Sequence, residues 1–325
     1  MIDTNLKTKV IGVSIRSDKT VYALIDIRGN VLARDDFDTS GYPNISDFVS
    51  RLSEGVMTLM EENGAIGAVR SIGVSAPSGN FHTGCIENSP NFPWKGVVPL
   101  AAMLRDRLGM AVALDNNANA MAMAEYAFGS AHGMKDFIVI TLGSGMGSCL
   151  FHNGKMYHGT NGAAGEIGHT PYIPGGRTCG CGKQGCLEQY TSVKGVIQTA
   201  QEVLAESDEP SLMRNVPLIV PLIIDYCKQG DKLAIEVMRR TGRALGFGLA
   251  NYASIFNPEA IILVGTVSRA RKWLLEPANE AFEEHVFRHA QGKVRLLTSI
   301  YESSELNVLG ASVLAWNVKE YSLFK

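Results

Sequence analysis

The chain has 325 residues, enough for two domains, since single cores rarely grow far beyond about 250 residues. With 46% hydrophobic and 19% charged residues it reads as a folded globular chain, and a formal net charge of -2 provides no basic excess to recruit nucleic acid or anionic lipid. No run approaches about 18 uncharged apolar residues, and MIDTNLKTKV enters a strand-like run without an apolar leader, so the expectation is a cytoplasmic protein with small-molecule partners, no direct nucleic-acid contact and no membrane.

In chain order, VIGVSIRSDKTVYALIDIRGNVLARDDF (10–37) holds three short β-branched runs parted by turns at Ser17-Asp18-Lys19 and Arg28-Gly29-Asn30, which predicts three strands joined by hairpins. A helix follows over about 46–63, with Phe48, Val49, Leu52, Val56 and Met60 on one face. A strand is expected at 71–75, a helix in VVPLAAMLRDRLG ending at Gly109, and a buried strand at 112–114. ALDNNANAMAMAEYAFG (113–129) then runs from that strand through a corner of amides into an Ala-rich helix stopping at Gly129. FIVITLGSGMGSCLFHNGKMYHG (137–159) repeats the strand–hairpin triplet. The echo predicts two similar α/β lobes with a ligand cleft between them. The smaller lobe is expected at 1–117 with 306–325, including a helix from about Leu306 to Tyr321, and the larger at 118–305, with a helix over 235–254.

The turn Leu142-Gly143-Ser144-Gly145-Met146-Gly147 follows an apolar strand directly. Without Cβ atoms its backbone N–H groups could approach a phosphate, though a tight hairpin needs the same residues. The stretch GEIGHTPYIPGGRTCGCGKQGCLEQY (165–190) carries the strongest signal. His169, Cys179, Cys181 and Cys186 supply three thiolates and an imidazole, a closed tetrahedral set that reads as structural zinc. Cys85, Cys149 and Cys227 lie in apolar runs and read as small core residues. Glu166 and Glu188 flank the cluster, where they are either acceptors for polyol hydroxyls or solvated surface acids.

Together these residues resemble the ROK family of sugar kinases and sugar-responsive repressors, over nearly the whole chain and closest to its glucokinase branch. Ser75-Ala-Pro-Ser-Gly79-Asn80 and Ser89-Pro-Asn91-Phe-Pro-Trp94 are similar to the family's sugar loops. Gly165-Glu166-Ile-Gly-His169 and the 179–188 stretch are the most specific match, and Asn257-Pro-Glu through Gly265 is similar to the adenosine-side loop. The resemblance implies a two-lobed, actin-like (hexokinase-like) α/β fold and ATP-dependent phosphorylation of a hexose or N-acetylhexosamine, with Mg2+ accompanying ATP, in a homodimer or homotetramer. It implies that Gly79, Asn80, Asn91, Asn116, Glu166, His169 and Glu188 surround the sugar, that Gly143, Ser144, Gly145 and Gly265 hold the nucleotide, and that His169 bonds zinc through one nitrogen and sugar through the other.

Three positions depart from the family pattern. Family kinases have Asn-Asp-Ala-Asn at the corner, the Asp being the general base, and here that position is Asn117. An amide cannot accept the proton, and such a base often contributes about 10²–10⁴-fold. Asp115 is the candidate replacement, two strand positions and roughly 6.5 Å away. The family's Asp-x-Gly-Gly-Thr turn reads Ser14-Ile15-Arg16-Ser17-Asp18, losing the acid that would help with magnesium and both glycines, and the nucleotide-side glycine pair reads Val264-Gly265. All three departures fall on phosphate handling, while the sugar and zinc residues are kept. The expectations are therefore a kinase of weakened catalysis or, alternatively, a non-catalytic sugar-binding regulator lacking the repressors' DNA-binding segment.

Overall fold

A computed structural model describes residues 7–318. In chain order it comprises β1 (Lys9–Ile15), β2 (Lys19–Asp26), β3 (Val31–Asp38), α1 (Ile45–Glu62), β4 (Val69–Ser75), the short β5 (Gly79–Asn80), β6 (Cys85–Glu87) and β7 (Val97–Val98), α2 (Leu100–Leu108), β8 (Ala111–Asp115) and α3 (Asn117–Phe128). There follow β9 (Phe137–Leu142), β10 (Met146–His152), β11 (Lys155–Met156), α4 (Glu188–Thr191), α5 (Val193–Glu206), α6 (Val220–Lys228), α7 (Lys232–Phe256), β12 (Ala260–Val264), α8 (Lys272–His285), β13 (Arg295–Thr298) and α9 (Ser303–Asn317). The chain divides into two compact units, Met1–His132 with Ser303–Lys325, and Gly133–Glu302.

In the first unit the sheet order is β3-β2-β1-β4-β8, with β1 to β3 antiparallel and β4 and β8 added in parallel. The second unit repeats the arrangement as β11-β10-β9-β12-β13, again an antiparallel triplet followed by two parallel strands. The echo read in the sequence is thus one sheet plan used twice. Its second copy is abbreviated, because β11 pairs only at two positions. Strands covered on both faces are continuous apolar runs: AIILV of β12 is buried at all five positions.

Helix α9 explains where the units part. Residues 306–315 are all buried, as expected of a helix apolar on every side, and Gly12 of β1 and Gly73 of β4 give its backbone room. A Cβ on Gly12 would strike the carbonyl oxygen of Val308, and one on Gly73 that of Ala311. Gly310 of α9 lies equally close to the backbone of Ala120 in α3. Helix α3 therefore belongs with α9 in the first unit, and the division falls after His132 rather than after 117. The expected end of α9 at Tyr321 lies outside the described residues. No helix among the described residues is long and apolar enough to cross a membrane.

Candidate functional site

The amide corner sits where β8 turns into α3. Asn116 is the N-cap: its extended backbone lets Oδ1 accept the N–H of Asn119 at 2.9 Å. Asp115 is only 1% exposed, and its Oδ1 accepts the N–H of Asn116 at 2.7 Å and the side-chain amide of Asn119 at 2.8 Å. Its carboxylate thus fastens the corner from inside. Register places Ser14, Ser75 and Asp115 side by side at the ends of β1, β4 and β8. The Ser75 hydroxyl lies 2.8 Å from Oδ1 of Asn117 and 3.2 Å from the amide oxygen of Asn307 on α9. That hydroxyl carries one proton and can donate to only one of them. Sequence reading assigned neither Ser75 as a partner of Asn117 nor Asn307 as a partner of Ser75.

Gly79 closes against the corner, because a Cβ there would come within 2.6 Å of the Asp115 carbonyl oxygen. Asn80 supports its own loop, accepting the N–H of His82 at 2.9 Å and donating to Glu87 at 3.2 Å. Asn91 is exposed in the next loop, held there by its neighbours: Phe92 and Trp94 are buried and stacked at 4.6 Å, and the Trp94 indole donates to the Tyr42 carbonyl at 3.1 Å. At the β1–β2 turn Arg16 does not project as a lone cation. Its guanidinium grips Asp18 through two bonds of 2.9 and 2.5 Å, and this pairing, ahead of the Coulomb attraction itself, holds the Asp18 carboxyl below its ordinary value.

In the second unit Gly143, Ser144 and Gly145 form the corresponding turn between β9 and β10. Gly143 donates to Gly145 O at 3.0 Å, Met146 N–H to Glu188 Oε2 at 2.9 Å, and Gly147 N–H to Thr141 Oγ1 at 3.1 Å. Among the described residues no bond occupies the N–H groups of Ser144 and Gly145, which the turn can offer to an anion. Gly265, with φ +114°, lies at the end of the neighbouring β12 against Leu142. A side chain is excluded there by both backbone conformation and space.

Four of the expected side chains meet in the same unit. Donor atoms of His169, Cys179, Cys181 and Cys186 all lie within 4.8 Å of one another. His169 Nδ1 is 3.6 Å from Cys179 Sγ, and Cys181 Sγ is 3.7 Å from Cys186 Sγ. Edges of a four-coordinate N/S tetrahedron are about 3.8 Å, so these residues fit a closed metal centre. The other ring nitrogen, Nε2, lies on the side of Glu166, 3.9 Å from Oε2, and Glu166 itself is exposed. The two ring nitrogens of His169 thus face different neighbours, Cys179 and Glu166. A hydrogen bond from the Lys183 backbone, with help from the neighbouring thiols, brings Cys181 down to about 7, whereas burial pushes Cys186 up to about 12. Cys85, Cys149 and Cys227 are buried elsewhere, as expected.

Sequence reading missed the clamp on this loop. Arg177 donates to Glu202, to the carbonyls of Gln189 and Gly195 at 2.6 and 3.1 Å and to Thr199 at 2.9 Å, and stacks over Tyr190 at 4.5 Å. Its signal was available: a single arginine set among glycines, two positions before Cys179. Gln189 was missed as well. Its side-chain amide donates to Cys179 Sγ at 3.4 Å and to Glu188 Oε1 at 3.1 Å.

The twice-used mixed sheet is that of an α/β, hexokinase-like fold, shared with a ROK hexokinase of Thermus thermophilus (TM-score 0.80, 26% identity, 95% of this chain and 98% of that one). A model of the ROK family matches residues 10–318, and the chain belongs to the ROK family. It is 35% identical over 256 residues to a glucokinase of Halalkalibacterium halodurans, covering 77% of this chain and 76% of that one. Among solved structures it is similar to a ROK family transcriptional regulator, a homolog of the Escherichia coli MLC protein (TM-score 0.85, 26% identity, 95% of this chain and 78% of that one). It is also similar to a ROK family glucokinase of Streptomyces griseus in complex with glucose and AMPPNP (TM-score 0.76, 28% identity, 95% and 100%).

Proposed function

We propose that this chain is an ATP-dependent hexose kinase of glucokinase type whose phosphoryl transfer is slow. The observation that carries the reading is the contrast between Asn117, an amide held by Ser75 at the family's base position, and the gathered His169, Cys179, Cys181 and Cys186. Asn91, Asn116, Glu166, His169 and Glu188 take the sugar hydroxyls, with Gly79 and Asn80 bordering them. Gly143, Ser144 and Gly145 receive phosphate oxygens, and Gly265 leaves room for the nucleotide. His169, Cys179, Cys181 and Cys186 would hold zinc as a fixed scaffold, and four protein ligands would leave it no open position for Lewis-acid work. Asn117 orients a hydroxyl without deprotonating it, and Asp115 is spent on the corner's own N–H groups. Ser14 stands where the family has the acid near magnesium, so the residues of this turn do not fit a Mg2+ site. Transfer then rests on positioning and charge stabilisation.

A second reading is favoured by the Arg16–Asp18 pair, which fills a turn that kinases of the family keep open with glycine: a sugar-binding regulator that transfers no phosphate. Sugar-dependent ADP release across several hexoses separates the two. Turnover above no-sugar controls supports the kinase; none, with sugar binding intact by calorimetry, leaves the regulator.

A further inference from the structure

We infer that Gln189 is a positioning residue through which the metal cluster holds the glycine turn in its anion-binding shape. The inference rests on the reading of the cluster as a metal centre, and not on turnover. Gln189 is itself fixed: its N–H donates to the Cys186 carbonyl at 3.0 Å and its carbonyl receives the Arg177 guanidinium at 2.6 Å. Its side chain faces two acceptors at once, Cys179 Sγ at 3.4 Å and Glu188 Oε1 at 3.1 Å. Only the NH2 end of a carboxamide can satisfy both, which settles its orientation.

The chain of bonds continues without a gap. Glu188 Oε2 accepts the N–H of Met146 at 2.9 Å and occupies the space beside Gly145, where a Cβ would come within 2.5 Å of it. Beyond the short helix α4, at the start of α5, Val193 N–H donates to Gly143 O at 2.8 Å. The turn is therefore held at Gly143 and at Met146 by the segment that follows Cys186. Cys179 Sγ also lies 3.7 Å from Glu188 Oε1, and the Gln189 NH2 bridges the two. A metal that fixes Cys179 thereby fixes the bridge, the bridge fixes Glu188, and Glu188 holds the turn.

The test is hydrogen exchange at residues 142–147, read by mass spectrometry on the full chain with saturating zinc and after chelation, together with zinc affinity by chelator competition. Chelation is expected to raise exchange at the turn in the wild type. Gln189→Ala, Gln189→Glu and Gln189→Met should raise it even with zinc saturating, and should weaken zinc binding by about 10–100-fold, the usual effect of removing an outer hydrogen bond to a ligand. Gln189→Glu keeps the shape but exchanges the donor for a charge that repels Glu188, whereas Gln189→Met keeps the length and removes the donor without adding charge, so a purely packing role would leave Gln189→Met like the wild type. Unchanged exchange at 142–147 on chelation, or wild-type exchange and zinc affinity in Gln189→Met, overturns the inference. Failure of the kinase reading would show as absent ADP release with this exchange response intact. A wild type that binds no zinc overturns both the inference and the metal centre on which it rests.

Discussion

The two units fold one sheet plan, and they differ most at the same place in it, the hairpin after the first strand. In the second unit that hairpin is Gly143 to Gly145, with backbone N–H groups uncovered and its shape held from outside by Glu188. In the first it is Arg16 to Asp18, where a guanidinium and a carboxylate close on each other. Topology thus supplies two equivalent turns, and residue type decides which can receive a phosphate: backbone N–H groups reach an anion only where no side chain stands in front. The first unit's corner is fixed by Asp115, Asn116 and Ser75, and Asn117 presents an amide there.

The largest effect should come from placing a proton acceptor at that corner. Asn117→Asp places a carboxylate beside Ser75 and is expected to raise sugar-dependent turnover by about 10²-fold or more, measured as ADP release. A variant that binds sugar normally and gains nothing would show that the corner is not what limits the rate. In the second unit, Cys186→Ser removes one of the four gathered donors and should weaken zinc binding by about 100-fold or more, read by chelator competition. Gly145→Ala comes next: its Cβ would sit 2.5 Å from Glu188 Oε2, and about a 10-fold loss of affinity for a non-hydrolysable ATP analogue is expected by calorimetry. The same measurement on the first unit sharpens the contrast. Arg16→Gly with Ser17→Gly should leave that affinity unchanged or raise it.

Much of this contrast was legible in the sequence, for reasons that differ by element. Helix α1 begins and ends within a residue of its expected span, since its buried face recurs at helical spacing and Asn44 caps it. The cluster was legible because C-x-C-x4-C fixes three donors over a short loop, leaving only His169 to be brought in. Partnerships made by tertiary packing were not. Ser75, Asn117 and Asn307 come from β4, α3 and α9, and no local pattern ties them together. Nor does spacing reveal that the carboxylate of Asp115 turns inward to its own corner. The boundary after His132 follows from glycines on separate elements admitting α9, which a repeat of strands and turns cannot signal.

The smallest expected effect tests whether the second unit's carboxylates matter to folding as well as to ligands. Asp231 caps the long helix α7, accepting the N–H of Ala234 at 3.0 Å, that of Leu212 at 2.5 Å and the Ser211 hydroxyl at 2.8 Å. Burial pushes its carboxyl upward, but these donors outweigh burial and hold it below the ordinary value of 3.8. A depressed folded value means that the unfolded chain binds the proton more readily. Its stabilisation is therefore complete above 3.8 and disappears as pH falls through the lower, folded value. Asp231→Ala should cost about 1–2 kcal/mol at neutral pH in urea unfolding followed by a probe in the second unit. The difference from wild type should shrink in acid below that window, and a gap that stays constant down to pH about 2 would mean that packing rather than the charged cap holds the helix start.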